Sequence, residues 1–141
     1  MRDYSFNLEI VTPSECIYSG SVVQLTVRGS EGDIGVHRGH APLLTSVQPC
    51  MLTMVKKSGD VEYLYVAGGM MEVQPKGVNI MADIATRAKD IDQQEAEKAR
   101  DHAELELAVC DRSDLLKIEL ELMQAVAQLR VIKNFQHMRH R

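Results

Sequence analysis

Residues 32–45 read GDIGVHRGHAPLLT, and this stretch decides how the first half of the chain is interpreted. Together with Gly29 just before it, the stretch places four glycines and Pro42 in a run that is otherwise apolar and strand-like. Glycine permits positive φ and close backbone approach, whereas proline fixes φ and lacks a backbone donor. The run lacks the Gly-Lys-Ser/Thr ending of a phosphate-binding loop, and Glu31 and Asp33 would repel a phosphate. It therefore predicts a rigid loop that meets another protein rather than a nucleotide.

Apolar and polar residues alternate through the first 86 residues, which is the pattern of half-buried strands. Two strands are indicated near the start, and the side chains that share a face in each are Phe6, Leu8 and Ile10, then Val23, Leu25 and Val27. Further strands are predicted at 43–47, 50–57, 61–67, 70–74 and 77–82, with Leu43 and Leu44 in the core. Short strands with frequent turns predict an antiparallel β-sandwich or barrel over residues 1–86.

Residues 87–141 contain no glycine and no proline, so this part of the chain is free to be helical throughout. Two helices are predicted over 88–108 and 114–136, with Ser113 or Asp111 as the N-cap of the second. A short connection between them predicts an antiparallel hairpin. The expected fold class is α+β: a β-sandwich over 1–86, followed by a two-helix hairpin over 87–141.

The two predicted helices differ in their apolar faces. The first carries one narrow, alanine-rich stripe, formed by Ala96, Ala99, Ala103, Leu107 and Cys110. The second carries two seams, the first formed by Leu115, Ile118, Leu122, Ala125, Leu129 and Ile132, and the other by Leu116, Leu120, Met123, Ala127 and Val131. A helix with two apolar faces needs two partners, and the narrow stripe can cover only one. The second partner is either the sandwich or another protein that the helix reaches by leaving the compact state.

Charge separates the two ends of the helical part. Residues 87–111 contain eight acids, whereas from residue 130 onward the charged residues are all basic: Arg130, Lys133, Arg139 and Arg141. A basic end on a chain of net charge −4 predicts an acidic docking surface, and a solvated tail is the alternative.

Composition narrows the functional classes. The net charge of −4 argues against nucleic acid as a main partner. No apolar run approaches the ~20 residues that span a membrane, and the N-terminus has no signal-peptide or transit-peptide character, so we expect any membrane association to come through a partner. The three cysteines are widely spaced and predict reduced, mostly buried thiols rather than a zinc site or disulfides.

No active site is indicated by the spacing of reactive residues. His37 and His40 lie near Glu31 and Asp33, but this spacing matches no metal motif and no nucleophile–histidine arrangement. We therefore expect no catalytic residue, metal or cofactor, and a structural or regulatory role.

The glycine-rich stretch, the later segment 67–73 (AGGMMEV) and the segment 127–132 (AQLRVI) together resemble the epsilon subunit of the F-type ATP synthase, most closely its proteobacterial form. The resemblance covers essentially the whole chain. It implies a non-catalytic stalk subunit at the cytoplasmic face of the bacterial inner membrane, attached there through its complex. In that family the glycine-rich loop contacts the c-subunit ring and the gamma subunit, which implies such contacts for Glu31, Asp33, His40 and Pro42. Gly68 and Gly69 are expected to serve a close backbone approach or a bulge, and no contact chemistry.

The same resemblance implies that the hairpin inhibits ATP hydrolysis. The second helix would leave the compact state and run along gamma into the catalytic head of alpha and beta subunits, with Arg130, Lys133, Arg139 and Arg141 facing acidic segments of beta. Some members bind ATP through an Ile/Leu-Asp-x-x-Arg-Ala motif, but residues 91–96 here read IDQQEA. Glu95 replaces the arginine and reverses the charge offered to a phosphate, so nucleotide binding is not expected.

Two other classes of protein stay open at this point. One is a free-standing adaptor or chaperone that consists of a small β domain and a coiled-coil hairpin. The other is a small enzyme that uses His37 and His40.

Overall fold

Nine strands and two helices account for most of the chain in a computed structural model, which describes residues 3–139. The strands are β1 (Phe6–Val11), β2 (Cys16–Gly29), β3 (Gly32–Val36), β4 (Leu43–Ser46), β5 (Cys50–Lys56), β6 (Val61–Ala67), β7 (Met70–Gln74), β8 (Gly77–Met81) and β9 (Ile84–Arg87). A 3₁₀ turn over Ala88–Asp90 leads to helices α1 (Gln93–Val109) and α2 (Leu115–Arg139). The expected α+β class, a β-sandwich followed by a two-helix hairpin, is confirmed.

Strand β2 is 14 residues long and belongs to both layers of the sandwich. Its first half pairs with β1, and its second half pairs with β3 and β5. The sheet order β4-β7-β8-β1-β2-β5-β6-β9 therefore folds over at β2. One layer holds β4, β7, β8 and β1, and the other holds β5, β6 and β9. The apolar core between the layers includes Leu8, Leu25, Leu52, Met71 and Ile80, none more than 1% exposed.

Two details of the strand prediction are wrong. The sandwich is not wholly antiparallel, because β1 pairs with β8 in parallel from Asn7 to Val11. The long chain between these strands permits a parallel pair, which a tight hairpin does not. Val23 does not share the core face of Leu25, because the register shifts between Val22 and Gln24. Because of this bulge, the side chain that points into the core before Leu25 is that of Val22, not that of Val23.

The glycine-rich stretch is less of a loop than its composition suggests. Residues 32–36 form β3, which pairs with β2. Residues 43–46 form β4, so only residues 37–42 form an irregular loop. Leu43 packs against the core as expected, but Leu44 is 64% exposed on the outer face of β4. The cysteines also differ from expectation, because Cys16 is exposed and the other two are only partly buried.

The helix boundaries follow the capping groups. Helix α1 begins at Gln93 rather than residue 88, because the Asp92 carboxylate accepts a hydrogen bond from the Glu95 N–H at 3.2 Å. Helix α2 begins at Leu115, and the Asp114 carbonyl accepts its first bond from the Ile118 N–H. Asp114, rather than Ser113 or Asp111, is therefore the residue that precedes α2. The helix continues to Arg139, three residues beyond the expected end.

Gly68 and Gly69 join the two layers by a close backbone approach, as expected. Both have positive φ, +76° and +87°. A Cβ on Gly69 would lie 1.9 Å from the Met81 carbonyl oxygen, which no side chain can accommodate. The Gly68 N–H donates to Val47 O, and the Val47 N–H donates to Gly69 O. This exchange fixes the chain between β6 and β7 against the end of β4.

Replacing Gly69 by alanine is expected to lower the free energy of unfolding by about 3 kcal/mol or more, because positive-φ strain and a backbone clash add together. Gly59→Ala is the matched control, since Gly59 also has positive φ but no atom within 4 Å of an added Cβ. It should cost only about 1 to 2 kcal/mol. Urea unfolding of the two variants measures the difference, and equal losses would contradict the close-approach role.

Candidate interaction surfaces

Helix α2 lies between helix α1 and the sheet. On the side that faces α1, Ile118, Ala125 and Ile132 are buried at seven-residue spacing. On α1, the buried residues are Ala96 and Ala103. Ala99, which the predicted stripe includes, is exposed, so the apolar line on α1 is narrower than expected. The buried residues that α1 contributes to this interface are therefore small and bury little apolar area each.

The opposite side of α2 packs on the outer face of β5 and β6. Ala127 and Val131 form a buried cluster with Tyr65, Ala67 and Ala88. The Asn134 side-chain amide lies 3.1 Å from the Met51 sulfur at the edge of this cluster. Burial in this cluster raises the pKa of Tyr65 above its usual value. The sandwich thus covers the second seam of α2 over its C-terminal half.

The N-terminal half of the same seam is not covered within the described residues. Leu116 is 81% exposed and Leu120 is also exposed. Helix α2 is 25 residues long, so it spans about 37 Å at 1.5 Å per residue. Its contacts with the sheet involve mainly the part from Met123 onward. The first two turns of α2 therefore project beyond the sandwich together with the end of α1.

The four residues expected to contact partners are not brought together. Glu31 lies in the β2–β3 turn, and Asp33 follows on β3, where its carboxylate pairs with Arg28 at 3.5 Å. His40 and Pro42 lie in the loop that follows the far end of β3. Because β3 has five residues, about 13 Å of strand separates the two ends. Glu31 and Asp33 occupy one part of the surface, and His40 and Pro42 occupy another.

Short-range hydrogen bonds shape the β3–β4 loop. The His40 N–H donates to His37 O, and the Gly39 N–H donates to Pro75 O in the β7–β8 turn. His40 Nδ1 lies 2.7 Å from its neighbour's carbonyl oxygen, Ala41 O. Pro42 is exposed. The loop is therefore tied to the sandwich and presents His40 and Pro42 at its surface.

The N-terminal segment fastens this loop in a way that sequence reasoning missed. The Arg38 guanidinium donates to the Asp3 carbonyl, and the Asp3 carboxylate pairs with Lys57 at 3.2 Å. The N–H and hydroxyl of Ser5 also donate to the Asp3 carboxylate, and with Lys57 they lower its pKa to about 2. Arg38 and Lys57 lie 35 and 54 positions from Asp3, so no local pattern in the sequence marks these two contacts.

An apolar patch on the other face of the sandwich was also missed. Leu44, Met70 and Met81 lie on the outer face of β4, β7 and β8, and they are 64%, 38% and 52% exposed. Met70 and Met81 are directly paired across strands, and Leu44 pairs with Glu72, two residues along β7. Alternation along β7 and β8 was the available signal, since Met71 and Ile80 point inward. The patch lies on the layer opposite the one that the hairpin covers.

The predicted basic end is exposed where the structure describes it. Arg130 and Lys133 are exposed on α2, and the Arg139 guanidinium lies 5.9 Å from the centre of the Phe135 ring. Arg141 lies outside the described residues. Within residues 3–139, no three histidine, cysteine, aspartate or glutamate side chains are placed to hold a metal ion. The described helices include none that is long and apolar enough to cross a membrane.

Comparison with known proteins defines the class. The family described as ATP synthase, Delta/Epsilon chain, beta-sandwich domain matches residues 5–88, which is more than half of the chain. The chain therefore belongs to the ATP synthase delta/epsilon family. The described fold is consistent with this, since the matched residues include all nine strands.

Two solved structures share the fold. A chain of the Euglena gracilis mitochondrial ATP synthase, from a structure of its OSCP/F1/c-ring, is 23% identical with a TM-score of 0.77. That match covers 87% of this chain and 78% of the Euglena chain. A chain of the Tetrahymena thermophila mitochondrial ATP synthase, from its central stalk and c-ring, is 12% identical with a TM-score of 0.67, and covers 90% of this chain and 96% of that one.

Replacing Val131 by aspartate is expected to release the hairpin and leave the sandwich folded. Val131 is fully buried between α2 and the sheet, and burying an unpaired carboxylate there costs about 3 kcal/mol or more. Limited proteolysis should then cut within α1 and α2 while a fragment that contains residues 5–88 persists. Val109→Asp is the control, since Val109 is 83% exposed, and it should keep the wild-type digestion pattern. Loss of the sandwich fragment in Val131→Asp would contradict separable docking.

Proposed function

We propose that this protein is the epsilon-type subunit of the central stalk in a bacterial, proton-translocating F-type ATP synthase. In this role it has no active site of its own. The sandwich, residues 1–86, joins the gamma shaft to the c-ring, and the hairpin, residues 87–141, restrains ATP hydrolysis. The subunit sits at the cytoplasmic face of the inner membrane and reaches the membrane only through the complex. Family membership and the c-ring and stalk assemblies named for the two similar structures support this role.

The observation that carries the proposal is the apolar patch of Leu44, Met70 and Met81. Exposed apolar patches on a small protein mark protein contacts when several large side chains adjoin. This patch lies on a sheet face that the hairpin leaves free, so a shaft could dock there while the hairpin stays docked on the other layer. A subunit that couples rotation and also carries a movable inhibitory hairpin needs two such independent faces.

The separation of the expected contact residues suggests a division between two partners. Asp33 and Glu31 present carboxylates near the β2–β3 turn, while His40 and Pro42 present a ring and an apolar edge at the far end of β3. The end with the two carboxylates is suited to a basic loop of a partner. The end with His40 and Pro42 is suited to a partner surface that is partly polar and partly apolar. Contact with both gamma and the c-ring requires at least two such sites.

The hairpin has the properties of an inhibitory segment that can leave its docked position on the sheet. It is attached through α2, three of the five residues in the buried cluster beneath α2 are alanines, and Leu116 and Leu120 remain exposed. Two arrangements that differ by a few kcal/mol are what a conformational switch needs. The exposed basic residues Arg130, Lys133 and Arg139, with Arg141, would then meet acidic segments of the catalytic beta subunits.

Nucleotide binding by the helical part is not part of the proposal. Glu95 stands where the motif of some family members has arginine, and its N–H is occupied by the Asp92 cap. Its side chain is exposed at the N-terminal turn of α1 and adds negative charge there. Calorimetric detection of micromolar ATP binding to the isolated protein would contradict this part of the account.

Affinity purification of the tagged protein from detergent-solubilised membranes should recover a multi-subunit complex with ATPase activity. Met81→Glu should reduce recovery of the gamma subunit at least about tenfold, because a carboxylate would be buried in an apolar contact. Leu105→Glu is the control, since Leu105 is 72% exposed on α1, away from the patch. Recovery of the tagged chain alone would favour the free-standing adaptor instead. Equal recovery of gamma with both variants would exclude the patch as the shaft contact.

Deleting residues 89–141 should leave the complex assembled and raise its ATPase activity, because the sandwich keeps its own core and its partner faces. Replacing Lys133 and Arg139 together by glutamine should raise the activity partway, since only the charged contact is removed. Activity of the purified complex at equal subunit content measures both effects. Loss of assembly after the deletion would count against a separable inhibitory hairpin.

A further inference from the structure

A groove of about 310 Å³ runs between α2 and the outer face of the sheet. We call it the α2 groove. Its floor includes Arg28, Asp33 and Thr53, and its wall includes Met123, Val126 and Arg130 from α2. Arg28 and Asp33 are directly paired across β2 and β3, so their side chains share the sheet face that α2 partly covers. The groove exists only while α2 is docked, because α2 is one of its walls.

The charges of the α2 groove are not balanced. Two guanidinium groups line it, from Arg28 and Arg130, against the single carboxylate of Asp33. The Asp33 carboxylate lies 3.5 Å from Arg28 Nε, which leaves the terminal N–H groups of Arg28 available. Arg130 makes no ion pair with any residue between 3 and 139. The side chains that line the groove therefore carry one net positive charge.

We propose that the α2 groove binds a small oxyanion, a phosphate or a carboxylate, between Arg28 and Arg130. The planar fork of arginine suits both groups, because each can accept two parallel N–H bonds. The volume holds one such ion with several waters, since a water occupies about 30 Å³ in the liquid. Threonines 26 and 53, paired across β2 and β5, add hydroxyl groups to the floor. The site lies on the sheet side of α2, and none of the residues 91–96 lines it.

An anion bound there would hold the hairpin in its docked position. The ion needs Arg130 from α2 and Arg28 from β2 at once, so it binds the docked state and not the released one. By linkage, the ratio of docked to released protein rises by the factor 1 + [anion]/Kd. Binding itself is independent of the proposed role in ATP synthase, and only its effect on hydrolysis rests on that role.

The substitution Ala127→Cys provides a reporter of this equilibrium. Ala127 lines the α2 groove and is 5% exposed, because it lies on α2 against the sheet. A thiol at this position is shielded from reagents while α2 is docked and becomes accessible when α2 leaves the sheet. In a Cys16→Ser/Cys50→Ala/Cys110→Ser background, alkylation of this thiol by iodoacetamide therefore follows release of α2.

The test measures the alkylation rate of the isolated protein against increasing phosphate, acetate or chloride at constant ionic strength. Phosphate or acetate at about twice its Kd should slow the reaction about threefold, and chloride should not. Arg28→Gln and Arg130→Gln should each abolish the slowing of alkylation by the anion. Lys117→Gln is the matched control on α2, outside the groove, and should retain it. Thermal unfolding gives a second readout, since the anion should raise Tm in the control but not in Arg130→Gln.

Each outcome decides the proposal. Stronger protection by phosphate identifies a phosphate site, and stronger protection by acetate identifies a site for a carboxylate side chain. Equal protection by all three salts would mean screening alone and would overturn the proposal. Protection that survives Arg130→Gln would overturn it as well, because the ion would then not bridge α2 and the sheet. A failed purification of the ATPase complex would leave this result unaffected.

Discussion

The contact between α2 and the outer face of β5 and β6 is the interaction on which the arrangement of this protein depends. Helix α1 packs on α2, and α2 packs on the sheet, so the hairpin is attached as a third layer through one helix. At the centre of that contact, Val131 and Ala127 meet Tyr65 and Ala67. Larger side chains pack around this centre and are only partly buried: Met51, Tyr63, Ile91 and Phe135.

The sandwich does not need this contact for its own core. Strand β2 crosses between the layers, and the inward side chains of both layers form a separate cluster that includes none of the residues of α2. The backbone exchange at Gly68 and Gly69 closes the structure at one end, and the Asp3, Arg38 and Lys57 contacts tie loops together at another place. One outer face carries the hairpin, and the opposite layer presents Leu44, Met70 and Met81. A rigid body with one occupied and one open face is consistent with a coupling subunit that also carries a regulatory segment.

Local patterns were sufficient to predict the strands from β5 to β8, the helical hairpin and the glycine pair, because alternation and turn residues act over a few positions. They were insufficient where the chain departs from a regular period or depends on distant partners. After the bulge at Val22, the residues of β2 that point inward change from one alternating set to the other. The parallel pair joins β1, near the start of the sandwich sequence, to β8, near its end, and Asp3 contacts Lys57, which is 54 positions away. The contact residues named from the family resemblance share a segment of sequence, but β3 holds them apart. The prediction that Leu44 lies in the core is wrong, because alternation alone does not tell which face of a strand points outward.

We propose that α2 leaves the sandwich when this protein inhibits ATP hydrolysis, and locking the helix in place tests this most directly. Met51 and Asn134 meet across the interface, so cysteines at these two positions in a cysteine-free background could be joined by a short bis-maleimide. ATPase activity of the purified complex would then be measured before and after cross-linking, with the Met51→Cys single variant treated in parallel. The account predicts that the cross-linked complex hydrolyses ATP faster, at a rate near that of the complex without the hairpin. An unchanged or lower rate on complete cross-linking would contradict it.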